Sequence, residues 1–98
     1  MRTLHTVNKS PFEKSSLASC IRVMQPGSTV LLIEDAVFAA QSETLIRPAL
    51  DKGKVYCLEP DYMARGLGSS QPVAGIQLVD YEGFVALAVE HDRVQSWL

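Results

Sequence analysis

"STVLLIE", Ser28 to Glu34, sets four aliphatic residues in a row between the Pro26-Gly27 turn and a pair of acids. A strand with one wet face alternates polar and apolar residues, whereas a strand buried on both faces reads as an unbroken apolar run, the pattern of a parallel-sheet interior. Parallel neighbours cannot be joined by a hairpin and need crossovers. Helices are therefore expected on either side of this run.

They are found by working outward. Upstream, "TLHTVN" (Thr3 to Asn8) reads as a β-branched strand closed by the Ser10-Pro11 turn. Leu17, Cys20, Ile21 and Met24 then fall at i, i+3, i+4 and i+7, one face of a helix that starts near Ser15 or Ser16 and stops before Pro26. Downstream, "DAVFAA" and "ETLIRPAL" form a second helical stretch, which Pro48 is expected to break into two pieces because proline lacks the amide and crowds the preceding turn. "KVYCLE" (Lys54 to Glu59) is a third strand, and "EPDYMARG" a short helix with Pro60 in its first turn and Gly66 past its end. After the turn-rich "GLGSSQPVAG", "IQLVD" is a fourth strand. Asp80 is placed to cap a helix carrying Phe84, Leu87, Ala88 and His91 on one face, and "RVQSWL" adds a short edge strand. The expected architecture is a single α/β domain over residues 1–98. It is a small doubly wound, Rossmann-like sheet of four to five mainly parallel strands with helices on both faces. Ligands in such folds gather beyond the carboxyl ends of the strands.

Composition narrows the function classes. A content of 47% hydrophobic and 20% charged residues excludes a disordered chain, and for 98 residues it is high enough to imply that partner chains cover some apolar surface. Net charge of −2 and a pI near 5.6 leave no basic footprint, so direct nucleic-acid binding is not expected. "MRTLHTVNKSPF" lacks the apolar core of a signal peptide and "VLLI" is too short to cross a bilayer, so a cytoplasmic location without membrane contact is expected. Cys20 and Cys57 have no CxxC spacing, and in a reducing compartment they are free thiols rather than a disulfide or a zinc site. No cofactor or metal is expected.

The strand ends offer Asn8, Lys9 and Ser10; Glu34 and Asp35; Glu59 and Asp61; Asp80 and Tyr81. Glu34 with Asp35 could serve as an acid and base, but carboxylates at this position more often cap the following helix. "RGLGSS" lacks the spacing of a phosphate cradle, which leaves a small-molecule regulator as the least supported reading. His5 reads as a satisfied imidazole on a sheet face, and His91 lies near a helix end where a cation suits the dipole. Trp97 is a candidate interface anchor, with a packed edge strand as the alternative. Cys20 shares its helix face with Leu17, Ile21 and Met24, where burial raises a thiol pKa; Lys9, Lys14 and Arg22 could lower it only if the thiol opens toward them. Cys57 precedes a helix N-terminus, a place that in principle favours thiolate.

"LHTVNKSPF" (Leu4 to Phe12), "SLASC" (Ser16 to Cys20), "LLIEDAVFAA" (Leu31 to Ala40), "KVYCLEPDYMARG" (Lys54 to Gly66), "VDYEGFVAL" (Val79 to Leu87) and "VQSWL" (Val94 to Leu98) together resemble the DsrH/TusB family over essentially the whole chain. The resemblance implies a DsrEFH-like fold and a subunit of the heterohexameric DsrEFH or TusBCD sulfurtransferase. Its implied partners are DsrE/TusD-like and DsrF/TusC-like chains, with a TusA-like donor and a TusE/DsrC-like acceptor. Persulfide sulfur would pass along this relay toward 2-thiolation of the tRNA wobble uridine in the Tus branch, or serve sulfur oxidation in the Dsr branch. The resemblance further implies that the catalytic cysteine of the complex is carried mainly by the DsrE/TusD subunit. Cys20 is the one position here to which a persulfide-carrying role can be transferred, and the family gives Cys57 none. The reading is an auxiliary assembly subunit, with a sulfurtransferase acting through Cys20 as the alternative.

Overall fold

The computed structural model describes residues 2–98. The elements are β1 (Thr3–Val7), α1 (Ser16–Val23), β2 (Thr29–Leu32), a 3₁₀ helix (Glu34–Gln41), α2 (Glu43–Lys52), β3 (Lys54–Leu58), α3 (Glu59–Ala64), β4 (Ile76–Val79), α4 (Tyr81–Glu90) and β5 (Arg93–Trp97). The five strands form one sheet in the order β4-β3-β2-β1-β5, and every pairing is parallel.

β2 holds the centre, as its unbroken apolar run requires. Val30, Leu31 and Leu32 have no solvent exposure. Complete burial contributes about 1.5–3 kcal/mol for each such side chain. Residues alternate between the two faces. Val7, Val30, Leu32, Val55, Cys57 and Ile76 pack in the larger cluster with residues of α1, the 3₁₀ helix, α2 and α3, while Leu4 and Leu31 pack with Leu87, Phe84 and Ala88 of α4. Helices thus cover both faces, but unequally: every connection up to β4 lies on one side, and α4 alone returns across the other to deliver β5 beside β1.

The helical stretch after β2 breaks earlier than Pro48. Ser42 has extended backbone angles (φ −115°, ψ 105°) and its Oγ accepts the Leu45 amide at 3.3 Å, so it ends one helix and caps the next. Pro48 sits inside α2. The carbonyl it leaves without an amide belongs to Thr44; both residues are solvent-exposed, so water can take the missing place. The first piece is 3₁₀ rather than α. Its threefold repeat stacks Ala36 on Ala39 and Val37 on Ala40, all fully buried, and small side chains let it press onto the sheet.

Asp80 caps α4 as its position predicts, its Oδ1 accepting the Gly83 amide at 2.8 Å. Gly53 joins α2 to β3 where the chain grazes the start of β2: a Cβ there would lie 2.0 Å from the Ser28 carbonyl oxygen.

Candidate functional site

Cys20 sits on the inner face of α1 and is completely buried with Leu17 and Met24. Removal from water pushes its thiol up to about 12, and burial is the sole cause. Lys9, Lys14 and Arg22 are exposed, so the cations that could lower this value point into solvent. Cys57, near the carboxyl end of β3, is also fully buried. Burial, then the negative charge of Asp61, pushes it up to about 12, which outweighs the helix N-terminus that follows. Both side chains belong to the core cluster on the face covered by α1, α2 and α3.

The carboxyl ends of β2 and β3 carry a polar lattice. Glu34, directly beyond β2, adopts a left-handed backbone (φ 50°), a conformation costing a residue with a Cβ on the order of 1–2 kcal/mol. Its amide donates to Asp61 Oδ2 at 2.6 Å. Asp35 pairs with Arg65 at 2.9 Å, and Arg65 also donates to the Asp61 carbonyl at 3.3 Å. Glu34 and Asp35 therefore occupy the first turn of the 3₁₀ helix, near its positive end, but neither caps it: the N-cap position is Ile33, which makes no side-chain cap bond. The expected capping is replaced by a clasp from α3. The buried Tyr62 completes the lattice; Gln41 Nε2 donates to its hydroxyl, which in turn donates to the Ser70 carbonyl at 3.1 Å and pins the long loop before β4. Burial, reduced in part by the Gln41 hydrogen bond, holds the phenol above its ordinary range. Tyr62 escapes sequence reasoning because α3 has six residues, too few to show a periodic inner face.

A second polar cluster lies where β1 meets β5. His5 is 3% exposed, and its Nδ1 accepts the Trp97 indole N–H at 3.0 Å. The acceptor role leaves the ring hydrogen on Nε2. Burial and the nearby Arg93 cation lower the His5 pKa. Trp97 is half-buried in the edge strand, and with His5 and Arg93 it lines a 300 Å³ surface cavity. His91 ends α4 buried, its Nδ1–H donating to the Leu87 carbonyl at 2.6 Å and its Nε2 hydrogen-bonded to the Thr29 hydroxyl at 2.8 Å, so it ties the crossing helix to the central strand. Asn8, just beyond β1, has a buried Oδ1 without a partner among the described residues.

A mainly apolar groove of 580 Å³ is bounded by the β1–α1 loop, α1 and α2, with Phe12, Leu17, Ile21, Leu45 and Pro48 in its wall. Cys20, next to Ile21 in sequence and one turn from Leu17, is not part of that wall. Among the described residues no three His, Cys, Asp or Glu side chains converge on a point that could hold a metal ion, and no helix is long and apolar enough to cross a membrane.

Comparison with known proteins gives this geometry a family. Protein TusB of Escherichia coli K12 is 36% identical over 96 residues, spanning 96% of this chain and 99% of the relative. Protein TusB of Shigella flexneri is 35% identical over the same shares. Among solved structures, the ychN protein of Escherichia coli superposes with a TM-score of 0.82, covering 99% of this chain and 100% of that one; at 15% identity the match is one of fold. Protein Tm0979 of Thermotoga maritima superposes at 0.69 with 26% identity, covering 90% and 92%. The family model described as DsrH like protein matches residues 9–94, and with this match and the TusB likeness the chain belongs to the DsrH family.

Proposed function

We propose that this chain is an auxiliary subunit of a cytoplasmic, heteromeric sulfur-relay complex. In this reading it assembles with DsrE/TusD-like and DsrF/TusC-like chains and helps shape the cleft in which a partner's cysteine takes persulfide sulfur from a TusA-like donor and passes it to a TusE/DsrC-like acceptor. Likeness to proteins named TusB over nearly the full length favours the branch that ends in 2-thiolation of the tRNA wobble uridine. No contact of this chain with the tRNA is needed, which agrees with its net charge of −2.

The observation that carries the auxiliary role is the enclosure of Cys20. A persulfide carrier must attack as thiolate and then expose its outer sulfur to the next thiol. A side chain with no exposure and a thiol pushed up to about 12 is suited to neither step. Packing explains its place without chemistry, because cysteine behaves as a small apolar residue in a core.

Intact mass spectrometry of the wild type and Cys20→Ser, after exposure to a persulfidated TusA-like donor, tests the reading with the chain alone and in the co-purified complex. The expected result is a sulfur adduct on the partner chain only. An adduct on this chain that disappears with Cys20→Ser would replace the auxiliary role with a relay station.

A further inference from the structure

The outward side of α4 does not look like a surface meant for water. Its inward residues, Phe84, Leu87 and Ala88, already pack on the sheet. Yet Tyr81, Val85 and Val89, four residues apart and hence one above another, are 59%, 63% and 79% exposed, with the small Ala86 exposed beside them. From residue 83 to residue 89 the helix carries no charge. A helix apolar on both sides belongs in an interior, and here one of the two sides has no cover.

The charges that bracket the stripe all have one sign. Glu82 stands at one end and Glu90 at the other, both exposed, about 12 Å apart along the axis at 1.5 Å per residue, with Asp80 and Asp92 next to them. Of the cations near the stripe, the Arg93 side chain bonds Thr3 Oγ1 on the opposite face of the sheet, and Arg2 meets Asp92 through its backbone amide, which donates to Asp92 Oδ2 at 2.6 Å, so Glu82 and Glu90 keep no ion-pair partner among the described residues. A second copy of this chain fits poorly. An antiparallel pair of α4 helices centred on Ala86 sets Glu82 against Glu90 twice, and a parallel pair sets each glutamate against its own copy. Both arrangements bury apolar contact inside a ring of like charge.

We propose that α4 docks a helix of a non-identical chain whose own apolar stripe is bracketed by Lys or Arg. The proposal rests on the reading that the protein works in a mixed assembly, and it names the face used and the chemistry the partner must present. Aliphatic packing at Val85 and Val89 supplies the contact, and opposite charges at the two ends fix orientation and exclude self-pairing.

The charge rule is testable with this chain alone. A Glu82→Lys/Glu90→Lys double variant converts its α4 into a basic-bracketed stripe that complements the wild type in antiparallel register. Sedimentation equilibrium is expected to show the mixture associating at least tenfold more tightly than either chain with itself. The difference is expected to shrink at 0.5 M NaCl and to vanish when the wild-type member carries Val85→Ser/Val89→Ser. Equal self-association and mixed association would overturn the charge rule, and a wild-type dimer abolished by Val85→Ser/Val89→Ser would make a second copy the occupant. In co-purification with the DsrE- and DsrF-like chains, Val85→Ser/Val89→Ser is expected to drop out while Cys20→Ser stays. Full retention of the serine double variant would overturn the docking face. None of these readouts follows sulfur, so failure of the relay reading and failure of the docking face are separable; circular dichroism checks that each variant is folded.

Discussion

Replacing Gly53 by alanine sets two well-known effects against each other. Its φ of −169° is extended backbone that any residue adopts, so restriction of the unfolded chain alone would make Gly53→Ala stabilising by about 0.4–1 kcal/mol. The native contact points the other way. The new Cβ would stand 2.0 Å from the Ser28 oxygen and 3.1 Å from its carbon, while real Cβ contacts essentially never fall under 3.0 Å. The two segments must part by about 1 Å, and neither can yield freely. The Gly53 amide is bonded to the Ala49 carbonyl at 2.9 Å, and the Lys54 amide to Ser28 itself at 3.2 Å. Losing one or both bonds costs about 0.5–1.5 kcal/mol each, and overpacking about 1–3 kcal/mol. Net of the entropy term, destabilisation of roughly 2–4 kcal/mol is expected, a fall in Tm of at least about 8 °C for a chain of this size. Trp97, the single tryptophan, is half-buried against His5 and reports urea unfolding by fluorescence. A Gly53→Ala midpoint at or above that of wild type, with an unchanged slope, would refute the packing argument.

Other expectations follow from the same contacts. His5 has a folded pKa below its unfolded value, so its contribution to stability is complete above about pH 6.5 and is lost as pH falls through the folded pKa; the slope it adds is at most about 1.4 kcal/mol per pH unit. In urea titrations at pH 7.5, 6.0 and 5.0 that component is expected to be absent from His5→Gln, and an identical pH dependence in both proteins would exclude His5 as its source. With thiols pushed from 9.0 to about 12, the thiolate fraction of Cys20 and Cys57 near pH 8 is about a thousandfold below that of an ordinary cysteine. Iodoacetamide is therefore expected to label the native chain at least that much more slowly than the urea-unfolded chain, and rapid native labelling of either site contradicts its burial. Asp80→Ala removes the α4 cap and is expected to lower stability by about 1 kcal/mol, with Asp80→Asn restoring most of it; equal losses in thermal melts would show that charge rather than the hydrogen bond to Gly83 matters.

Local patterns made much of this molecule readable. β2 announced its central place by failing to alternate, Asp80 by preceding an apolar helix, and the helical face of Cys20 by its spacing from Leu17 and Met24. What the pattern could not supply was competition between local and distant contacts. Pro48 looked like the helix breaker, but its missing bond falls on the wet side of α2, whereas Ser42 has a hydroxyl poised to start a new helix. The carboxylates after β2 looked like caps, yet the amide of Glu34 is held by Asp61 across 27 residues. Tyr62 and the Trp97–His5 pair depend on segments brought together only by the sheet order, and no short-range period encodes that order.

The position of β5 has a consequence for biosynthesis. Residues 93–97 flank residues 3–7, so two strands 90 positions apart in the chain are neighbours in the sheet. As the nascent polypeptide emerges, β1 can find β2 early, but its other edge keeps unpaired amides and carbonyls until residues 93–97 have been made and α4 has swung across the sheet. An open strand edge is a template for wrong partners. The protein is therefore most vulnerable to aggregation in the interval before β5 arrives, and a nick in α4 or the loss of β5 would return the folded sheet to that state.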